Sequence, residues 1–331
     1  MTMKVLLISH ESDLDGLVSA AIVLVRYPQA KTIFLGNKKE SFETLARFVY
    51  TFSVSSISPS PQEKGLIIIC DLALIEDESL INLCKDAFSE AKKAGFDIVW
   101  LDHHPWSEAA KLAIDPFVET MFDETGNRCA AELVYEKFLL GNKLANKLAS
   151  MAHSMDFLTN DQYLTPISEL IVYYHNNHGR YERLSSLATK VSQGILWDID
   201  MQNDYAVYSQ IQKKAKVEAF QTIQFKQIDG RFKAAFIQSS PYIQNSLFAQ
   251  EVFEKTHSDV VILYSLDNRV SIRRNNNLIS CRRIAQNLPE GGGHEFAAGA
   301  RFKSNPLDRN EIIGELEEAI LKSLVDTQTC L

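Results

Sequence analysis

The stretch Leu101-Asp102-His103-His104-Pro105 stands at the end of an apolar run that begins at Ile98. Two other apolar runs end in the same way, one at His10 and one at Asp71. Apolar runs of this length are typical of buried strands in a parallel sheet. Because the ligand site of an open α/β sheet lies at the carboxyl ends of its strands, we expect these three tips to meet at one edge.

The residue types at these tips favour a metal site. Four carboxylates belong to the set: Asp13, Asp15, Asp71 and Asp156. Brought together without cations they would repel one another and their pKa values would rise, whereas two divalent ions balance their charge. Mixed carboxylate and imidazole ligands suit Mn²⁺, with Zn²⁺, Fe²⁺ or Co²⁺ as alternatives. A single Asp after a strand is often only a helix N-cap, so the rarer Asp-His-His string decides the interpretation.

In chain order these motifs resemble the DHH phosphoesterase superfamily, in the subgroup with a DHH-associated C-terminal domain. The N-terminal signature comprises His10, Asp13-Leu14-Asp15-Gly16, Asp71, Asp102-His103-His104 and Asp156. The C-terminal signature is Gly291-Gly292-Gly293-His294-Glu295-Phe296-Ala297-Ala298-Gly299. Relatives of this kind include RecJ-type exonucleases, nano-RNase-type oligoribonucleases, pAp phosphatases, cyclic-dinucleotide phosphodiesterases and family II pyrophosphatases.

The resemblance implies roles for the N-terminal residues. One ion would be held by His10, Asp13 and Asp71, and the second by Asp15, Asp71, His103 and Asp156, so that Asp71 bridges them. Asp102 would orient an imidazole. His104 would contact the scissile phosphate or help to protonate the leaving oxygen. Only two residues separate His10 from Asp13, a gap that varies among relatives, so ligation by His10 is left open.

The C-terminal part contains a candidate phosphate site. In the predicted strand 269–273, Val270 and Ile272 share one face, so Ser271 and Arg273 share the other. The resemblance likewise places the Ser-x-Arg pair near the substrate phosphate, where a guanidinium can hold two oxygens.

A glycine-rich loop adds to this site. Gly291, Gly292 and Gly293 would let backbone N–H groups approach an anion. His294 would act as a donor, and a helix predicted to begin near it would add its positive end.

Composition and pattern predict an α/β protein of two domains. Its 331 residues are 46% hydrophobic, and strands alternate with helices over residues 1–115, as in a doubly wound parallel sheet. From Ala130 to about Gln224 the pattern is almost wholly helical. We predict a DHH metal-binding catalytic domain at 1–190, a helical linker at 191–225, and a smaller α/β DHH-associated, substrate-binding domain at 226–331. The active site is expected in the cleft between the two domains.

Other features of the sequence indicate the cellular compartment and the positions of the remaining histidines. Five cysteines without paired spacing favour buried free thiols and a reducing cytoplasm. No run is apolar enough to predict a membrane helix or a signal peptide. His153 is expected to be a packed or capping residue rather than a ligand, and His175 and His178 are expected on the surface.

The sequence therefore predicts a Mn²⁺-dependent, two-metal phosphodiesterase. A net charge of −8 argues against long nucleic acid, while basic residues outnumber acidic ones in 226–303. The resemblance to the oligoribonuclease branch implies a 3′–5′ exonuclease or oligoribonuclease that releases nucleoside 5′-monophosphates, and the charge favours short single strands or small nucleotides as its substrates. A pAp phosphatase, a cyclic-dinucleotide phosphodiesterase and a non-catalytic RecJ-like replication scaffold are the alternatives. RNA versus DNA preference and assembly as a homo-oligomer are left open.

Overall fold

The computed structural model describes residues 3–55, 65–123, 125–157, 159 and 165–325. They form two compact units, Met1–Tyr205 and Ala206–Leu331. The division falls inside the segment 191–225 that we predicted as a helical linker, and each unit has its own sheet.

The first unit alternates strands and helices and then becomes helical, as the sequence predicted. Its elements are β1 Lys4–His10, α1 Leu14–Arg26, β2 Lys31–Leu35, α2 Lys39–Ser55, β3 Gly65–Cys70, α3 Glu78–Lys93, β4 Phe96–Asp102, α4 Glu108–Ile114, β5 Glu119–Phe122, α5 Ala130–Leu139, α6 Lys143–Asp156, α7 Thr165–His175 and α8 Arg180–Ser192. A long helix, α9 Ile199–Gln221, runs across the division between the units.

The five strands of this unit are all parallel, in the order β2-β1-β3-β4-β5. Successive side chains of a strand point to opposite faces. Leu7 of β1 therefore packs among α1 and α5 to α8, whereas Leu6 and Ile8 pack among α2, α3 and α4. The predicted doubly wound parallel sheet is confirmed. Strand order reverses between β1 and β3, which places the ligand crevice of such a fold at the carboxyl ends of these two strands.

Helix α1 begins directly after the motif that follows β1. The side chain of Asp13 is its N-cap and accepts a hydrogen bond from the N–H of Gly16 at 3.0 Å. A Cβ on Gly16 would lie 2.4 Å from the carbonyl oxygen of His10. Glycine at this position therefore lets α1 start directly against the end of β1.

One edge strand of the first sheet was not predicted. β5 has only four residues, and it pairs with β4 through partners such as Leu101 and Met121. Its side chains are exposed or half-buried, so no apolar run marks the strand in the sequence.

The second unit holds a six-stranded mixed sheet in the order β10-β11-β9-β8-β7-β6. Its remaining elements are β6 Gln224–Ile228, β7 Phe232–Gln238, α10 Asn245–Thr256, β8 Val260–Tyr264, β9 Arg269–Arg274, α11 Cys281–Gln286, β10 Gly292–Gly293, β11 Ala297–Arg301 and α12 Arg309–Val325. Strands β7 and β8 are parallel, and the other pairs are antiparallel. Helices α11 and α12 pack on one face of the sheet, and α10 packs with the end of α9 on the other.

The helix predicted to begin near His294 is wrong. Residues 292–301 form a hairpin in which Gly292 pairs with Gly299 and Gly293 pairs with Ala298. The N–H of His294 donates to the carbonyl oxygen of Ala297 at 2.7 Å. The small residues that resembled a helix start instead form β11, which pairs with β9. No helix N-terminus therefore supports an anion at His294.

The cysteine prediction is confirmed where the structure describes it. Cys70, Cys84, Cys129 and Cys281 are buried free thiols, and Cys330 lies outside the described residues. Among the described helices, none is both long and apolar enough to cross a bilayer.

Gly16→Ala should lower the free energy of unfolding by roughly 1–3 kcal/mol, because the added Cβ would overlap the carbonyl group of His10. Gly314→Ala in α12 is the matched control, since no atom lies within 4 Å of its added Cβ. That change should stabilise the helix by about 0.5–1 kcal/mol. Chemical denaturation followed by circular dichroism measures both. Equal stability of Gly16→Ala and the parent would show that α1 does not need this close approach.

Candidate metal centre

The carboxyl edge of the first sheet gathers three groups of metal-ligand side chains. The groups are His10, Asp13 and Asp71; Asp71, His103 and His104; and Asp15, His103 and Asp156. Within each group the ligand atoms all lie within 4.8 Å of one another. All six residues that the resemblance implied as ligands therefore lie at one place, and Asp71 belongs to two groups.

Asp71 is the most constrained residue of the centre. It follows β3 with φ of +56°, a left-handed conformation that is uncommon for residues other than glycine. Its side chain is almost fully buried, and Oδ2 has no hydrogen-bond partner among the described residues. A strained backbone and an unsatisfied buried oxygen both cost stability. A cation at this oxygen would satisfy it, so the donor set fits a metal ion.

Asp15 is fixed by a helix that lies far away in the sequence. Its two carboxylate oxygens accept hydrogen bonds from the N–H groups of Ala130 and Ala131, both at 2.8 Å. These groups begin α5, where the positive end of the helix stabilises a negative charge. Glu132 reaches back to the N–H of Cys129 and fixes the same helix start. The role of α5 was missed, and its only sequence signal is a Glu three residues after an atypical N-cap.

His103 lies among three carboxylates. Its Nε2 atom is 3.5 Å from Asp71 Oδ1 and 3.7 Å from Asp15 Oδ2. On the other side of the ring, Nδ1 is 3.7 Å from Asp156 Oδ2. Asp156 is the last residue of α6, so the ring links the sheet edge to the helical part of the unit.

Both oxygens of Asp102 are engaged by neighbouring groups. Its Oδ1 accepts from the His103 N–H at 2.9 Å and lies 2.7 Å from Nδ1 of His104. Its Oδ2 accepts from Nε1 of Trp106 at 2.8 Å. Burial would lower the pKa of His104, but the carboxylate outweighs it and raises that pKa to about 9. Asp102 is therefore placed to orient a charged His104, the role that the resemblance implied.

Asp13 is a helix N-cap and also belongs to one of the three ligand groups. Oδ1 caps α1, and Oδ2 lies 3.6 Å from Nε2 of His10. The other ring nitrogen of His10, Nδ1, lies 3.4 Å from the side-chain amide of Asn37. His10 therefore directs Nε2 towards Asp13, as a metal ligand would.

The carboxylates of this centre repel one another. Burial, with Asp15 and Asp13 nearby, raises the pKa of Asp71 well above its ordinary value. Burial also raises the pKa of Asp15, and with Asp15 it raises the pKa of Asp156 to about 6. Such raised pKa values are expected for carboxylates brought together without cations.

The remaining histidines lie apart from the three ligand groups. Nδ1 of His153 is 2.8 Å from Oε2 of Glu132, which agrees with the prediction of a packed or capping residue. His178 is exposed as predicted. The prediction of a surface position is wrong for His175, whose side chain is 18% exposed and lies 3.7 Å from Oε1 of Glu11. The contact with Glu11, which follows β1, accounts for this partial burial, and no local pattern predicts it.

In the second unit, β9 presents the predicted faces. Val270 and Ile272 are buried in the core, and Ser271 and Arg273 are half-buried on the other face. The guanidinium of Arg273 donates to Ser271 Oγ at 3.0 Å and to Ser246 Oγ at 2.8 Å. Arg274 instead donates to carbonyl groups of the loop that follows β9. The two arginines are therefore distinct, and Arg273 is held in a fixed position by hydroxyl groups.

Packing accounts for two of the three loop glycines. A Cβ on Gly291 would lie 1.7 Å from the carbonyl oxygen of Ala285. Gly293 has φ of +125°, and its Cβ would lie 2.7 Å from Ala298 Cα. Gly292 has open space around it, and the ring of His294 stacks on Phe296 at 5.4 Å. Phosphate binding by this loop stays a prediction.

Comparison with known proteins agrees with this geometry. Residues 4–159 match the DHH family, N-terminal domain, and this part of the chain belongs to that family. The match does not extend over the second unit, for which the DHH-associated domain stays a prediction. No curated protein matches the sequence significantly.

Solved structures share the fold at low sequence identity. A DHH-domain protein described as a member of a family of ribosomal proteins is 15% identical, over 97% of this chain and 87% of that one, with a TM-score of 0.65. An exopolyphosphatase-related protein from Bacteroides fragilis is 14% identical, over 97% and 92%, with a TM-score of 0.55. An uncharacterised protein from Helicobacter pylori G27 is 20% identical, over 96% and 99%, with a TM-score of 0.38. The first two show that the α/β fold is shared with known structures, one of them a DHH-domain protein.

The chelator-treated protein should become less stable as the pH rises from about 5 to about 9. The pKa of Asp156 is raised to about 6 and that of His104 to about 9. A group with a raised pKa in the folded state stabilises it fully below its unfolded value, and this stabilisation is lost as the pH passes the folded value. The pKa of Asp102 is lowered, so the ionisation of this group changes the stability only at more acidic pH. Thermal unfolding across this pH range measures the trend.

Variants at two positions distinguish the contribution of the metal centre to stability from that of other carboxylates. Asp71→Asn removes a buried charge, and Asn tolerates the left-handed backbone, so the metal-free variant should be more stable than the parent by about 1 kcal/mol or more. Asp86→Asn, at an exposed position of α3, is the control and should leave the profile unchanged. A stability of the chelator-treated parent that rises with pH, or an Asp71→Asn variant less stable than the parent, would contradict this electrostatic account.

Proposed function

We propose that this chain is a Mn²⁺-dependent phosphodiesterase that cleaves short single-stranded oligonucleotides from the 3′ end and releases nucleoside 5′-monophosphates. The observation that carries the proposal is that Asp71 belongs to two ligand groups at once. A carboxylate shared in this way suits two ions held close together, which is a common arrangement for phosphoester hydrolysis. The DHH family match supports the same class of reaction.

The residues of the centre divide into two ligand sets. His10, Asp13 and Asp71 would hold one ion; Asp15, Asp71, His103 and Asp156 would hold the other. The mixture of carboxylate and imidazole donors favours Mn²⁺. Such ions, when bound, supply Lewis acidity and lower the pKa of coordinated water.

His104 would contact the phosphate beside these ions. Asp102 occupies its Nδ1 atom at 2.7 Å, so a substrate would meet Nε2. With a pKa of about 9, the imidazole carries a proton at neutral pH. It would donate a hydrogen bond to a phosphate oxygen or a proton to the leaving oxygen. The indole N–H of Trp106 donates to Asp102 and holds this carboxylate in position.

The second unit would bind the terminal nucleotide. Ser271 and Ser246 hold the guanidinium of Arg273, and a pre-positioned guanidinium binds phosphate oxygens with little loss of side-chain entropy. Gly292 and His294 of the hairpin would add donors. The net charge of −8 disfavours a long polyanion, which supports a short substrate.

The proposal predicts that a dinucleotide is cleaved faster than a long RNA in the presence of Mn²⁺, and that chelation abolishes both reactions. The measurement is product analysis with labelled dinucleotide, longer RNA, pAp, cyclic dinucleotide and polyphosphate. Faster release from pAp or from a cyclic dinucleotide would assign the chain to those phosphatases instead. Failure to hydrolyse any of them, in a folded chain without bound metal, would favour a non-catalytic scaffold.

Arg273→Ala should raise the KM for a dinucleotide by roughly ten- to a hundredfold, because a charge-assisted phosphate contact is lost. Bound Mn²⁺ should be unchanged, since Arg273 lies in the second unit and the proposed ligands lie in the first. Arg283→Ala, an exposed change on α11, is the matched control and should leave KM unchanged. Loss of Mn²⁺ from Arg273→Ala, or an equal effect of the control, would contradict the assigned role.

A further inference from the structure

Glu11 is a buried carboxylate that the metal centre does not use. It directly follows His10, is 4% exposed, and its Oε2 atom has no hydrogen-bond partner among the described residues. A buried ionised carboxylate without hydrogen bonds is costly, and a native structure retains one where a ligand or a neighbouring charge compensates for it. Glu11 therefore points to an interaction beyond those already described.

Two basic side chains lie near this carboxylate without reaching hydrogen-bond distance. Nε of Arg180, at the start of α8, is 3.7 Å from Oε2, and Nδ1 of His175, at the end of α7, is 3.7 Å from Oε1. A Cβ at Gly36 would lie 2.9 Å from Oε1, so glycine keeps room for the carboxylate. The guanidinium would repel a cationic ligand. A neutral hydrogen-bond donor suits this position.

An exposed aromatic residue adjoins the same cluster. The guanidinium of Arg180 lies over the ring of Tyr181, 4.5 Å from its centroid, and Tyr181 is 43% exposed. Tyrosine rings and guanidinium planes are the surfaces on which proteins stack nucleobases. Glu11, Arg180 and Tyr181 thus form a continuous series from a buried carboxylate to an exposed stacking surface.

The cluster lies beside the metal centre in the first unit. The N–H of Glu11 donates to the carbonyl oxygen of Leu35 at 3.0 Å, which ties it to the carboxyl end of β2. Alternation along β1 sends the side chain of Glu11 to the α7 and α8 face, opposite to that of His10. Because Glu11 directly follows His10 in the chain, the cluster begins one residue away from the metal centre.

We propose that Glu11, Arg180 and Tyr181 form a nucleobase pocket that prefers guanine. Guanine offers two adjacent neutral donors, N1–H and the 2-amino group, which match the two oxygens of a carboxylate; adenine has no such pair. The base would stack on Tyr181. The inference rests on the proposed function, since it makes the nucleotide substrate the ligand.

The test measures binding of GMP, IMP and AMP to the full chain with Mn²⁺ by isothermal titration calorimetry; these monophosphates contain no phosphodiester bond, so no hydrolysis is required. GMP should bind roughly ten- to a hundredfold more tightly than AMP, with IMP between them because it lacks the 2-amino group. Glu11→Gln should reduce GMP binding to the level of AMP. Equal affinities for the three nucleotides in the parent protein would overturn the proposal.

Tyrosine variants keep the test decisive if Glu11→Gln does not fold. Tyr181→Ala should weaken all three nucleotides by about tenfold, whereas Tyr50→Ala, a similarly exposed tyrosine on α2, should change none of them. An unaltered affinity in Tyr181→Ala would overturn the pocket. Selective GMP binding without phosphodiesterase activity would remove only the proposed function, and activity without base preference would remove only this inference.

Discussion

Repulsion among buried carboxylates is the constraint on which the first unit depends. Asp15, Asp71 and Asp156 share one ring of His103 as a neighbour, and burial raises the pKa of each. A fold would not retain such a cluster for stability, because hydrophobic residues of similar size would pack there at lower cost. The donor set could bind metal ions, and such cations would neutralise these charges.

The surrounding elements hold these charges where they would otherwise separate. The N-terminus of α5 binds both oxygens of Asp15, and the backbone of Asp71 accepts a left-handed conformation. Asp102 is held by the indole N–H of Trp106, the main-chain N–H of His103 and the imidazole of His104. Strands β1 and β3 lie side by side at the point where the strand order reverses. The carboxylates and imidazoles therefore converge at a crevice rather than along a flat edge.

Sequence reasoning identified the centre because its residues end apolar strands, and parallel strands must bring their carboxyl ends together. It missed interactions that join distant elements. Nothing near Asp15 indicates that Ala130 and Ala131 hold it, and nothing near Glu11 indicates that α7 and α8 enclose it. The small residues after His294 predicted a helix, but pairing with β9 made them a strand, since a neighbouring strand overrides a weak local preference.

The sequence by itself determined the parallel α/β class, the helical stretch that follows it, and the identity of the carboxylates and imidazoles at the strand ends. These properties follow from local periodicity and from the positions of polar residues at the ends of apolar runs. The tertiary structure alone decided which oxygens face one another, which carboxylates lose their water, and which glycines serve packing rather than a ligand. Those outcomes depend on contacts between separate elements, in the case of Asp15 with residues more than a hundred positions away, and no local pattern encodes their distances.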